Sequence, residues 1–169
     1  MNRRRHPIAI HWFRQDLRLN DNPALTAAAE SHDILPVYIQ DMINAGHHFP
    51  GAASRWWLHR SLTDLNRNLD GHLRCYSGDP AEILRLLIDQ YAVQAVSWNR
   101  CYEPWQIRRD RELKASLHDQ DIEVLSHNGS LLWEPWDVLK GDKTPYRVFT
   151  PYYKNGCLQN KPPRAPLPR

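Results

Sequence analysis

Short apolar runs that alternate with helical stretches constrain this chain more than any other feature. The runs are Ile8–Phe13, Ile34–Ile39, His72–Tyr76, Gln94–Trp98 and Ile122–Leu125. Each is too short for a helix and is flanked by polar or turn-forming residues, so each reads as a strand. Between them the apolar positions step at helical spacing. In Ser54–Leu69 the side chains of Leu58, Leu62, Leu65 and Leu69 fall on one face, with Ser54 placed to cap the start and Gly71 to end it. Asp79-Pro80-Ala81-Glu82 marks a second start: Asp79 caps, Pro80 suits the first turn and Glu82 is placed to reach back as in a capping box. Ile83, Leu84, Leu87, Ile88 and Tyr91 then form its buried stripe. Another helix begins near Glu103-Pro104. It is mostly charged, with a narrow apolar edge of Ile107, Leu113 and Leu117, and reads as a surface helix.

This alternation predicts an α/β fold: a doubly wound, Rossmann-like, five-stranded parallel sheet with helices on both faces. Ligands of such sheets bind beyond the carboxyl ends of the strands. Four stretches are therefore candidate pocket wall: Arg14 to Arg18, Gln40-Asp41, Ser77-Gly78, and Asn99 to Glu103. Residues 1–130 form the α/β domain in this reading. Residues 131–160 are an aromatic, proline-broken segment that closes it, and 161–169 are a proline-rich linker or tail.

Composition excludes several classes. With 22 basic and 19 acidic side chains the net charge is +3, too balanced to mark a nucleic-acid binder. The one basic run, Arg3-Arg4-Arg5, reads as a solvated tail. Cys75, Cys101 and Cys157 form no C-x-x-C pair, which argues against a zinc site or a disulfide framework and for a reduced, cytoplasmic protein. No apolar run approaches the roughly 20 residues of a membrane span. His11 and Arg14 cut the first apolar run too short for a signal peptide.

Familiar catalytic patterns are missing. There is no G-x-G-x-x-G, P-loop or G-x-S-x-G motif, and the nine histidines form no ligand cluster, so neither catalytic nor metal-ligating residues are assigned. The helix start at Ser77-Gly78-Asp79 reads as a plain cap before an anion site. Arg14, Asp16, Arg18 and Asp21 alternate in sign. They read first as an ion-pair network that fixes a strand-to-helix turn, and second as ligand contacts.

Five blocks, in order, carry a resemblance. They are Trp12-Phe13-Arg14-Gln15-Asp16-Leu17-Arg18-Leu19, Ala53-Ser54-Arg55-Trp56-Trp57-Leu58, Tyr76-Ser77-Gly78-Asp79-Pro80, Trp98-Asn99-Arg100-Cys101-Tyr102-Glu103-Pro104, and Val148-Phe149-Thr150-Pro151-Tyr152-Tyr153-Lys154. Together they resemble the N-terminal α/β domain of the DNA photolyase/cryptochrome family, whose signature begins W-F-R-x-D-L-R-L-x-D-N. The resemblance implies a domain that holds a light-harvesting antenna chromophore: methenyltetrahydrofolate, 8-hydroxy-deazaflavin or FMN. It further implies a following helical domain that holds FAD and takes up UV-damaged DNA, where excited reduced FAD splits a cyclobutane pyrimidine dimer. Those helical segments would lie after Arg169, so the 169 residues alone are not expected to catalyse repair.

Site residues carry over from the resemblance by position. Trp105-Gln106 stand where folate-binding relatives have Asn-Glu, leaving Gln106 to hydrogen-bond a pterin edge without a carboxylate. Cys101 stands near an acidic residue of deazaflavin-type relatives, and Arg55 aligns with an arginine that faces the antenna. Asp41, Arg55, Cys101, Tyr102, Glu103 and Gln106 are the expected chromophore-binding set. Trp56, Trp57, Trp105, Trp133 and Trp136 are expected to pack the core or a domain interface. The alternative is a free-standing nucleotide- or flavin-binding module, or a cryptochrome-like light sensor.

Overall fold

Five parallel strands make the sheet: β1 (Ile8–Phe13), β2 (Asp33–Asp41), β3 (Arg74–Gly78), β4 (Val93–Asn99) and β5 (Glu123–His127). Their order across it is β3-β2-β1-β4-β5. Four helices connect them: α1 (Pro23–Ala29), α2 (Ala52–Asn68), α3 (Pro80–Tyr91) and α4 (Pro104–His118). A computed structural model of the chain describes residues 6–167; Arg3-Arg4-Arg5 and the last two residues of the proline-rich end lie outside them. The five apolar runs all become strands, β3 and β5 shifted one or two residues toward the C-terminus. No described helix is long and apolar enough to cross a membrane.

Strand β1 is buried on both faces, and its alternation sorts the core. Ile10 and Trp12 point to one side, where they pack with Leu84, Leu87 and Ile88 of α3 and Leu113 and Leu117 of α4. Ala9 meets Ala28 of α1 and Ala95 on the other side, and Phe13 meets Leu65 of α2 and Leu73. Small side chains at Ala9, Ala28 and Ala95 let α1 approach the sheet closely. Pro36, which has no amide to donate, lies in the part of β2 that pairs with β1 alone, because β3 joins only from Val37 onward.

Local chemistry sets the helix ends. Asn22 caps α1 by accepting from the Leu25 amide at 3.1 Å, with Pro23 in the first turn. Asp79 caps α3 by accepting from the Ala81 amide at 3.0 Å. Helix α2 starts at Ala52 after Gly51, with no side-chain cap, so Ser54 lies inside the first turn and is not the cap expected of it. It stops where Asp70 and Gly71 turn left-handed (φ 51° and 81°), and the Gly71 amide returns to the Asn66 carbonyl.

After β5 the backbone is irregular, apart from one helical turn at Phe149–Pro151 that runs into a π-helical Tyr152–Cys157. Side chains tie this segment down. Arg100 pairs with Glu134, and Tyr102 Oη donates to Glu134 Oε2 at 2.8 Å. Trp133 Nε1 donates to the Lys161 carbonyl at 2.7 Å, and Arg164 pairs with Asp21. Over Lys161–Leu167 the proline-rich stretch is thus held against the domain.

Candidate functional site

The strand order reverses between β1 and β4, which makes their carboxyl ends the place where a doubly wound sheet opens a crevice. Helix α4 starts directly above that point. Two of the cavities along the rim lie on its opposite flanks.

A chain of buried charges fixes α4 there. Arg14, from the end of β1, sends Nη1 to both Asp110 oxygens at 2.9 and 2.7 Å and Nη2 to the Asn99 carbonyl. Arg109 donates to Asp110 Oδ1 through Nε and Nη2 at 3.0 and 2.8 Å. Its Nη1 reaches Asp41 Oδ2, at the end of β2, at 3.0 Å. The order Asp41–Arg109–Asp110–Arg14 alternates in sign, and all four residues are buried. Alternation is what makes such burial tolerable, because each ion has an opposite charge at hydrogen-bonding distance.

The loop after β1 therefore differs from its reading as a self-satisfied set. Arg14 pairs across to α4, and Arg18 donates to the carbonyls of Asp21 and Gly129. Asp16 accepts from the Arg14 amide and from Asn99 Nδ2, while Asn99 Nδ2 also reaches the capping Asn22 Oδ1 at 2.7 Å. Gly129 closes over this knot, where a Cβ would overlap the Asn99 side chain. The knot explains why β1, α1 and β4 lock into one unit.

On the β1–β2 flank lies a cavity of about 180 Å³. Its walls include Trp12, Arg14, Asp41, Trp105, Gln106 and Arg109. Arg109 lies over the rings of both Trp12 and Trp105, at 4.8 and 5.2 Å from their centroids. His48 stacks on Trp105, with centroids 6.3 Å apart and an interplanar angle of 7°. Trp12 Nε1 and Arg14 Nε are buried donors without a partner among the described residues. Both atoms are closed off behind the cavity surface, as is Trp98 Nε1 away from it.

The expected site residues distribute unevenly. Asp41 and Gln106 line this cavity. Glu103 is one bond away, since its carboxylate accepts from Gln106 Nε2 at 2.9 Å and from Gln15 Nε2 at 2.8 Å. Burial opposes ionisation of Glu103, yet the Gln15 hydrogen bond and nearby backbone amides draw its pKa below the usual carboxylate value. Cys101 and Tyr102 face the cavity on the opposite flank of α4. Burial pushes the Cys101 thiol up to about 11, so it is protonated at neutral pH. Arg55 is exposed, donates to the Pro50 carbonyl at 2.8 Å and lines neither cavity. Trp105, expected to pack a core or interface, is a cavity wall, whereas Trp56 and Trp57 are largely exposed. Arg109 and Asp110 carried no sequence signal, because charges on a polar helix normally face solvent.

The DNA photolyase family profile matches residues 9–169. The chain belongs to the DNA photolyase family. It is 43% identical over 152 residues to the deoxyribodipyrimidine photo-lyase of Agrobacterium fabrum, covering 88% of this chain and 31% of that protein. It is 37% identical over 157 residues to cryptochrome-2 of Arabidopsis thaliana, covering 88% of this chain and 25% of that one. The crystal structure of a class III photolyase from Agrobacterium tumefaciens superposes with a TM-score of 0.88 at 38% identity, over 99% of this chain and 35% of that one. An archaeal photolyase from Sulfolobus tokodaii, solved with two FAD molecules, shares the fold with a TM-score of 0.75 at 23% identity, over 95% of this chain and 36% of that one. The chain thus spans about a third or less of the length of these relatives.

Proposed function

We propose that this chain is the light-harvesting domain of a deoxyribodipyrimidine photolyase and that the cavity between β1, β2 and α4 receives one end of the antenna chromophore's ring system, the rest extending beyond it. The observation that carries the reading is that cavity itself: a strand-end cleft walled by the indoles of Trp12 and Trp105 and the guanidinium groups of Arg14 and Arg109. A planar heterocycle suits such walls, with Trp105 as the ring to lie against. Gln106 and Asp41 offer the polar contacts along its edge, with Glu103 fixing the Gln106 amide. A bound folate, deazaflavin or FMN would supply absorption in the near ultraviolet and blue, with transfer of that excitation to a flavin elsewhere.

Repair belongs, in this proposal, to a helical FAD-binding domain that takes up the UV-damaged DNA. The exposed rings of Trp56, Trp57, Phe149 and Tyr153 supply an apolar surface for that domain to cover. Three unbridged cysteines suit a reducing cytoplasm.

Titration of the purified chain with methenyltetrahydrofolate, 8-hydroxy-deazaflavin and FMN, followed by absorbance and fluorescence, tests the assignment. One of the three is expected to bind, and Gln106→Ala is expected to weaken it by about tenfold, the loss of one well-made polar contact in a buried site. No binding of any of them would overturn the reading, as would dimer repair by the chain alone with added FAD. A second reading, a cryptochrome-like light sensor, draws on the 37% identity to the Arabidopsis cryptochrome. It predicts chromophore binding by the chain without dimer repair by the full-length protein.

A further inference from the structure

A second cavity lies on the β5 flank of α4, with a volume of about 290 Å³. Cys101, Ile107 and the exposed ring of Trp136 form its apolar walls, and Arg100, Arg111 and Lys114 bring positive charge to it. Ile107, Arg111 and Lys114 follow one another at helical spacing, so one face of α4 presents an apolar foot and two cations.

The charge balance of this cavity is uneven. Asp110 is its one lining acid, and both oxygens are already taken by Arg14 and Arg109. Glu134, outside the lining, is taken by Arg100 and Tyr102. Lys114 Nζ is left with a hydroxyl, Ser126 Oγ at 2.8 Å, and no carboxylate partner among the described residues. Its pKa is lowered by burial first and by the Arg100 charge second, with Asp110 opposing the shift. The Arg100 guanidinium lies 6.0 Å from the Trp136 ring centroid and props that ring at the mouth.

We infer that this cavity is a second ligand site, separate from the antenna cleft, and that it takes a planar bicyclic aromatic anion. The rings would lie between Trp136 and Ile107, and the anionic group would meet Lys114 and Arg111. The volume admits two fused rings with one charged substituent and is too small for a dinucleotide. The inference does not depend on the antenna assignment, since the two cavities share no lining residue.

The probe is 2-naphthoate, with neutral 2-naphthamide as its isostere, titrated into the 169-residue chain by calorimetry. The carboxylate is expected to bind at least tenfold more tightly than the amide. Lys114→Gln and Trp136→Ala are each expected to weaken the carboxylate at least tenfold while leaving the thermal midpoint unchanged. Gln106→Ala, in the antenna cleft, is expected to leave naphthoate affinity unchanged. The inference is overturned if the amide binds as well as the carboxylate, if Gln106→Ala weakens binding as much as Lys114→Gln, or if no heat appears at millimolar probe.

Discussion

Helices α2 and α4 have similar lengths and opposite fates. Helix α2 carries Leu58, Leu62 and Leu65 in a stripe, yet only Leu65 is buried, and Trp56 and Trp57 stand in the open at 59% and 69% exposure. Helix α4 is rich in charge, yet it buries Gln106, Arg109 and Asp110 beside Leu113 and Leu117. The difference lies in what each helix meets. Helix α2 packs on the sheet through its C-terminal half, where Leu62 and Leu65 meet Phe13, Tyr38 and Leu73, and its N-terminal half stands off the sheet. Helix α4 sits where β1 and β2 deliver Arg14 and Asp41, opposite charges ready to pair with its own. On these two helices burial follows the supply of partners more closely than it follows hydrophobicity.

The contrast breaks most sharply at Asp110. Replacing it with alanine leaves Arg14 and Arg109 buried against each other, and should cost about 3–5 kcal/mol. Urea unfolding would measure it, and a loss below about 1 kcal/mol would mean that the network is wetter than its geometry implies. The double change Arg14→Met, Asp110→Leu should cost less than Asp110→Ala alone, because it removes charge of both signs. On α2 the matching anchor is Leu65, where Leu65→Ala should cost about 3 kcal/mol by opening a cavity beside Phe13.

His11 tests the other face of the same strand end. It is buried between Ser97 Oγ at 2.8 Å and Asn22 Nδ2 at 3.4 Å. Burial first and the Arg14 charge second push its pKa down to about 3. An exposed histidine takes up its proton near pH 6.5, at about its unperturbed pKa. Between that pH and about 3 the unfolded chain binds a proton that the folded chain refuses. Stability is therefore complete above the unfolded pKa and falls as the pH drops, by at most about 1.4 kcal/mol per unit. Denaturant midpoints from pH 7 to 4 should show that slope, and His11→Gln should flatten it. The smallest effect is expected on the open face of α2, where Trp57→Ser should change stability by less than about 0.5 kcal/mol. A larger drop in melting temperature would show that Trp57 packs against the chain after all.

Much of the fold was legible because its signals are local. Five apolar runs, the Asp79-Pro80 start and the stop at Gly71 each depend on a few neighbouring residues. Trp12-Phe13-Arg14 and the later blocks were enough to place the family. The site was legible only in part. Asp41 and Gln106 do line one cleft, with Glu103 behind them. Cys101 and Tyr102 are close to them in sequence, yet they fall on the far flank, because α4 comes down between them. Arg55 is turned to the Pro50 carbonyl, a local bond that no alignment of positions reveals.

By itself, then, the sequence determined the strands and the main helices, their class of parallel sheet and the family. Periodicity, capping and turn chemistry act over a few residues and leave their mark in the string. The tertiary structure decided which charges are buried. Arg14 finds Asp110 across 96 positions, and Arg109 finds Asp41 across 68. Such pairs exist only once the strand ends converge, and an arginine destined for that meeting looks the same in sequence as one that faces water.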